Sequence, residues 1–496
     1  MFCLSWPMVA QTVTAPAAAP AAATVLEAAG LRSDVAILRQ AFLTLHPGLF
    51  RYNTPQQIEA AFQELEREFQ RDRTLTEAYL AFSMFAAKVK CGHTYANFYN
   101  QTKEVQQALF RSGRVPFYFR WLGGRMFVSR SFANDPRIRP GTEVLAINGT
   151  PVARILKRLL TVARADGGND AKRVAYLEVQ GADRYEAFDV YYPLFFPSKR
   201  TTMVLRIRDR AANLPIDVEV RPLTHEERLA SMRKDANEEG PFFEFRLLDE
   251  GLGYLRMPSW ALYNTKWDWK TFLAETFERL AASGATDLVI DIRGNEGGSD
   301  VGDVIVSHLI SSAVPRQAVH RRVRYRKVPE ALLPYLDTWD PSFRDWGSSA
   351  TEDGQGFFKL RRDADDDFAS LIQPARPRYA GRTWVLVGAT NSSATFEFAD
   401  VVQRNHLATL VGQPTGGNQR GINGGAFFFL RLPHSGLELD LPLIGLFPDG
   451  RRPDAGLQPE IFVTPAANDL AENRDAEMET VRKLVHMTRA KQRRRD

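Results

Sequence analysis

The stretch Asp287-Leu-Val-Ile-Asp-Ile-Arg293-Gly-Asn-Glu-Gly-Gly-Ser-Asp300 decides how this chain is read. Asp287 to Ile292 has the near-continuous apolar character of a buried strand, and the pattern from Val301 to Ile310 is helical. Between them stand Gly294, Gly297 and Gly298. Glycines at such a turn let backbone N–H groups face outward with no Cβ in the way, so they can hold an anion or an oxyanion. A tight strand-to-helix turn with no ligand is the plain alternative. The same order recurs in Trp384-Val-Leu-Val387-Gly-Ala-Thr-Asn-Ser-Ser-Ala-Thr-Phe-Glu397, where a strand (Thr383 to Val387) and a helix (Ala394 to Arg404) flank small polar residues. A serine there lies at a helix N-terminus, where the dipole and free N–H groups stabilise developing negative charge. Equally, Ser392 or Ser393 can serve only as an N-cap.

Outward from these two turns, the segment from Phe242 to His486 alternates strands (Gly253 to Met257 is another) with helices such as Trp267 to Ala282. That alternation argues for an α/β layer with parallel pairing. Pro329 to Arg378 is polar, irregular and tryptophan-bearing, and reads as a lid or an insertion. The preceding block, 106–225, is β-rich. It carries strand-like runs at Val115 to Arg120, Arg125 to Val128 and Thr202 to Ile207, and a Pro140-Gly141 turn, apolar strand and Asn148-Gly149 turn. A helix from Ala153 to Ala163 follows that hairpin. Residues 33–105 read as a helical domain. Ser33 caps the first helix, Thr54-Pro55 opens a second, and a third runs from Thr76 to Lys90 and ends in Cys91-Gly92-His93-Thr94. The remaining divisions are a leader or linker over 1–32, an α/β core over 226–486 and a basic tail over 487–496.

The charge balance is 64 − 59 = +5 over 496 residues. Arg489 to Asp496 alone supplies five basic groups and one acid, so the rest is near neutral and nucleic acid is not the expected partner. Hydrophobic residues at 44% and charged residues at 25% describe a globular chain with a sizeable core. Two cysteines, Cys3 and Cys91, exclude a disulfide scaffold and a cysteine-rich zinc module. His225 begins His-Glu-Glu-Arg-Leu and lacks the second histidine of a zincin helix, so no metal site is expected. There is no phosphate-binding loop, and no apolar run reaches the roughly 18 residues of a membrane span. Residues 1–26 carry no charge; the apolar start, Met1 to Ala10, and the Ala/Pro/Thr stretch after it read as an export signal cut near Ala10. The expected location is periplasmic or secreted; a cytoplasmic protein with an irregular start is the alternative.

A nucleophilic serine needs a base. His93 is a candidate because it closes a helix in a Gly-His-Thr turn, although a histidine there can simply satisfy helix carbonyls. Cys91 and His93 stand two residues apart at a helix end and would often point different ways, which disfavours a thiol nucleophile. Taken together, the two strand-end motifs and Val411-Gly-Gln-Pro-Thr-Gly-Gly417 resemble the signature segments of the tail-specific (C-terminal processing) serine peptidases and their tricorn-like relatives. Arg139-Pro-Gly to Ile147-Asn-Gly resembles the core of a PDZ-like domain, and Leu432-Pro-His-Ser-Gly436 and Gly456-Leu-Gln-Pro-Glu460 resemble the family's closing segments. The likeness spans about residues 33 to 486.

That resemblance implies a crotonase/ClpP-like α/β core preceded by a helical domain and an inserted PDZ-like domain. It implies a cofactor-free serine peptidase acting on extended or unfolded polypeptides. The Ser-Lys branch of the family places lysine after Thr-x-Gly; here Asn418 follows Thr415-Gly416-Gly417. An amide cannot act as a base, so Asn418 is expected to tolerate alanine, and the likeness shifts to the tricorn-like branch, in which a histidine serves. The implied roles are Ser393 as nucleophile, His93 as base, and the N–H groups of Ala394 and of Gly297 or Gly298 as oxyanion donors. Asp454, just before Gly456, is the implied carboxylate for His93, with Asp449 and Glu460 as rivals. Two other classes stand beside this reading: a non-catalytic peptide-binding relative, and an acyl-CoA enzyme on the same core fold. The oligomeric state is not legible.

Overall fold

Thr54 and Thr74 start helices by the same device. Each hydroxyl accepts the N–H three residues on, and the side chain there, Gln57 or Glu77, accepts the threonine N–H in return, which satisfies two orphan donors at each start. In the computed structural model, which describes residues 23–111, 113–233, 243–248, 251–263, 265–316, 319–361 and 371–492, these helices are Pro55–Glu68 and Leu75–Lys88. They pack on a first helix, Ala28–Leu45, through Phe42, Phe62 and Phe85. Each such fully buried apolar side chain contributes about 2 kcal/mol relative to exposure. The first helix begins six residues earlier than expected, and Ser33 lies inside it instead of capping it. Val25–Leu26 pairs with Arg73–Thr74 just ahead of it, so the helical unit includes residues assigned to the leader. The export signal read near Ala10 lies outside the described residues, as do residues 493–496 of the tail.

The middle block holds an antiparallel sheet ordered Phe117–Leu122, Arg125–Ser131, Glu143–Ile147, Met203–Arg208, Pro215–Val220. The helix after the hairpin, Val152–Leu159, ends four residues short of Ala163. The freed chain, Arg164 to Asn169, leaves the block and docks on the α/β core, where Gly168 N–H reaches Asp454 and Asn169 reaches the carbonyls of Thr415 and Gly417.

The core is a sheet ordered Ile461–Phe462, Thr409–Gly412, Arg382–Val387, Asp287–Asp291, Leu252–Arg256, Glu244–Leu248; only the last strand is antiparallel. Asp287–Asp291 and Arg382–Val387 are neighbours in parallel register, with Asp291 opposite Leu386. Both motif turns therefore leave the same end of the sheet side by side, where α/β sheets place their crevices. Helices Trp269–Ala282, Val301–Leu309 and Ala394–Arg404 cover one face, and Ala476–Gln492 the other.

A second six-stranded sheet was not legible beforehand. Its centre is the long hairpin Asn423–Arg431 and Glu438–Pro448, whose apolar residues bury against the helical domain, not the parallel sheet of the α/β core. Pro329 to Arg378 is not a free lid where it is described: Leu336–Asp337, Ala350–Glu352 and Phe358–Leu360 belong to this sheet. Buried Asp34, on the first helix, accepts the N–H groups of His434 and Ser435 at the hairpin tip. Among the described residues, no helix is long and apolar enough to cross a membrane.

Candidate active site

Ser393 is the residue before the helix Ala394–Arg404, and its backbone is at φ 51°, ψ −129°. A non-glycine residue there costs roughly 1–3 kcal/mol and persists only where its surroundings impose it. The surroundings do so. Asn391 is fully buried; its Nδ2 donates to the carbonyls of Ile292 and Asn295, and its Oδ1 accepts Gly388 N–H at 2.7 Å. Thr395 Oγ1 contacts the carbonyl oxygens of Asn295 and Ser392 at 3.0 and 2.9 Å. Ser392 spends its hydroxyl on the Glu296 carbonyl, whereas Ser393 makes no side-chain capping bond. The capping alternative therefore fails for Ser393, whose Oγ is left at the head of a helix dipole.

Gly297 lies against this turn. A Cβ there would stand 2.7 Å from Ser392 O and 2.9 Å from Ala394 N, and φ is +106°. Its own N–H is committed to Asn295 Oδ1 at 3.0 Å, so Gly297 serves by closeness, not as the donor expected of it. The N–H groups of Gly298 and Ala394 have no hydrogen-bond partner among the described residues.

His93 and Ser393 line one cleft of about 190 Å³, together with Gly92, Asp166, Lys172, Tyr263, Glu296, Gly298 and Ser392 among others. The turn before His93 is set by contacts distant in sequence. Gly92 N–H donates to Asp166 Oδ1 at 3.0 Å, and a Cβ on Gly92 would stand 2.8 Å from Asp166 Oδ2. His46 bonds Thr94 at 2.9 Å, and Phe427 of the hairpin sits 6.0 Å from the His93 ring. Burial lowers the His93 pKa below 6.5, against the pull of Asp166, so the ring is neutral at neutral pH. Its Nδ1 is buried with no hydrogen-bond partner among the described residues.

Asp454 is not on His93. Its Oδ1 accepts Gly168 N–H at 2.8 Å and Asn418 Nδ2 at 2.7 Å, because the Arg164 to Asn169 loop comes between it and the histidine. The rivals are spent too: Asp449 pairs with His320, and Glu460 accepts Leu410 N–H. The carboxylate that holds the turn before His93 and pulls hardest on its charge is Asp166, with Glu296 the weaker second, and both were missed. Ala165-Asp166-Gly167-Gly168 reads locally as an ordinary turn of another domain, and nothing in it signals its docking site. Asn418 is fully buried and donates to both Asp166 O and Asp454 Oδ1, so it holds the loop in place and is not idle. Cys91 is buried with its thiol pushed up to about 11, chiefly by burial, which leaves it a poor nucleophile. Among the described residues, no group of three or more His, Cys, Asp or Glu side chains is placed to hold a metal ion.

Residues 251–462 match the model of peptidase family S41. The chain is a serine peptidase with a family S41 domain. No curated protein matches it. Among solved structures it is similar to mature CPAF complexed with lactacystin, at 15% identity and a TM-score of 0.62 over 92% of this chain and 97% of that one. A second structure of mature CPAF gives 15% identity and a TM-score of 0.60, covering 89% and 94%. At such identity the likeness is one of fold. It extends the shared architecture well beyond the S41 segment, to the helical and middle blocks of this peptidase.

Proposed function

We propose that this S41 peptidase hydrolyses peptide bonds of extended polypeptides by Ser-His chemistry, as the tricorn-like branch does. Ser393 Oγ attacks the scissile carbonyl carbon, and His93 takes its proton and returns it to the leaving amine. The oxygen that becomes negative is held by the N–H groups of Ala394 and Gly298. Asp166 stabilises the imidazolium as it forms, through charge and not through a bond to the ring. On this reading the middle block is a PDZ-like domain and the parallel sheet a crotonase/ClpP-like core.

The observation that carries the proposal is that His93 and Ser393, from opposite ends of the chain, line one cleft, with the serine hydroxyl unspent and the imidazole neutral. Lys172 also lines this cleft and burial lowers its pKa, which is what a lysine base requires. Its ammonium is taken up by Glu296 and the Thr390 carbonyl, however, so the histidine is the free base. Labelling by a fluorophosphonate tests the proposal. Wild type is expected to label and to cleave an unfolded protein such as casein, and Ser393→Ala to do neither. A Ser393→Ala variant that cleaves like wild type would overturn it.

A further inference from the structure

Lys172 is an unusual lysine for a β-rich accessory block. It lies on the short helix Asp170–Tyr176, is 3% exposed, and sends its side chain out of its own block into the catalytic core. Its Nζ donates to Glu296 Oε1 at 2.5 Å and to Thr390 O at 3.0 Å. These partners belong to different turns. Glu296 precedes Gly297 and Gly298 in the turn after Asp287–Asp291, and Thr390 lies three residues before Ser393 in the turn after Arg382–Val387. One ammonium thus spans the two turns whose spacing sets the distance from the attacking oxygen to the oxyanion donors.

The rest of the cluster supports the same role. Arg164 reaches the second Glu296 oxygen at 3.3 Å. Burial by itself would raise the Glu296 pKa, but Lys172 and then Arg164 reverse this and hold it to about 2, so the carboxylate facing Lys172 is ionised. The lysine stem fills its channel, for a Cβ on Gly416 would stand 2.9 Å from Lys172 Cδ. An ammonium with three donors and two fixed acceptors on two loops acts as a clamp. Because the lysine side chain is itself buried and one of its two acceptors is charged, the bonds hold their geometry better than a surface ion pair.

We propose that Lys172 is a positioning residue which sets the oxyanion turn against the nucleophile turn by bonding Glu296 of one and Thr390 of the other. This rests on the assignment of Ser393 and of the Gly298 and Ala394 donors. The clamp stabilises the tetrahedral intermediate more than the bound peptide, because only the intermediate needs both turns at their correct separation.

The test compares Lys172→Met, which keeps the stem and removes the ammonium, with Lys172→Arg and Glu296→Gln. Each variant is first checked for a cooperative melt. The Met variant is expected to lose about 100-fold in kcat, the cost of a small misplacement of reacting groups, with KM changed by less than about 3-fold. A peptide boronate, which forms a tetrahedral adduct on Ser393, is expected to lose affinity by a like factor. Binding of the same peptide without a reactive group, measured in the Ser393→Ala background, is expected to be unchanged. Lys172→Arg restores part of the activity, and Glu296→Gln, which keeps an acceptor but no charge, falls between the Met variant and wild type. The acid limb of the pH profile set by His93 remains in every variant. Retention of full kcat by the Met variant overturns the proposal. So does equal weakening of boronate and plain peptide, since that is general damage to the cleft. Loss of the acid limb in the Met variant would instead make Lys172 the base. If Ser393→Ala stays active, the underlying assignment fails, an outcome distinguishable from failure of the clamp alone.

Discussion

The two sides of the cleft are built differently. Ser393 is held from nearby: Asn391, Ser392 and Thr395 bond the neighbouring turn through Ile292, Asn295 and Glu296, all inside one sheet. His93 is held from afar, by Asp166 of the middle block under Gly92, by His46 of the helical domain on Thr94, and by Phe427 of the hairpin against its ring. On the proposed mechanism, the nucleophile is a property of one domain, and the base is a property of how several domains meet. Damage to the serine side should therefore act abruptly and locally. Damage to the histidine side should act through docking and be graded.

The largest expected effect is on the local side. Ser393→Ala should lower turnover about 10⁶-fold with no change in thermal midpoint beyond a few degrees; a fall of less than tenfold would remove the serine from the chemistry. Next comes His93→Ala, expected to cost about 10⁴-fold or more. Here the pH profile is the sharper readout. A base must be neutral to accept a proton, and burial places the folded-state pKa of His93 below 6.5. Activity in wild type should thus be level above about pH 7 and fall as pH drops through that lowered value. A lysine base would put the limb on the alkaline side of neutrality unless strongly depressed.

Gly297→Ala tests the closeness of the two turns. The added methyl must displace the Ser392 carbonyl and the nucleophile with it, and about 100-fold in kcat is expected. A variant that keeps its kcat would show that the turns can separate without harm. Asp166→Asn probes the remote side and should cost about 10-fold. Since Asp166 raises the His93 pKa, its neutralisation should move the acid limb to still lower pH. A limb that stays put or rises would uncouple the two groups. The smallest effect is expected for Asn418→Ala. It removes buried donors to Asp166 O and Asp454, worth about 1–3 kcal/mol of stability, with activity within about 10-fold of wild type. Loss as deep as in Ser393→Ala would mean a direct role in catalysis.

The same asymmetry governs what could be read from the sequence. Strands Asp287–Asp291 and Arg382–Val387 and helix Ala394–Arg404 stand within one residue of their expected bounds, because apolar runs and glycine turns are local signals. The gathering of Ser393, Gly298 and His93 in one cleft was expected only from the family resemblance that their short motifs carry together, since each motif alone fits a plain turn or cap. Three features were not. The hairpin Asn423–Arg431 with Glu438–Pro448 buries against the helical domain, a partner that no local pattern names. Asp454 looked free because its competitors, Gly168 and Asn418, come from other segments. Asp166 and Lys172 carry no motif, and their meaning comes from a loop that leaves its own domain.

His93 lies outside residues 251–462, the segment with the family's imprint. During synthesis His93 emerges first and Ser393 follows 393 − 93 = 300 residues later. At about 5–20 residues per second, the gap between them is roughly 15–60 s. Throughout that interval the growing chain has no nucleophile to turn on itself or on its neighbours. Even after Ser393 emerges, the hairpin residue beside His93 and the loop partners Asn418 and Asp454 have still to follow. On the proposed mechanism, proteolytic competence is thus withheld until the chain is nearly whole, a delay imposed by the order of residues along the chain.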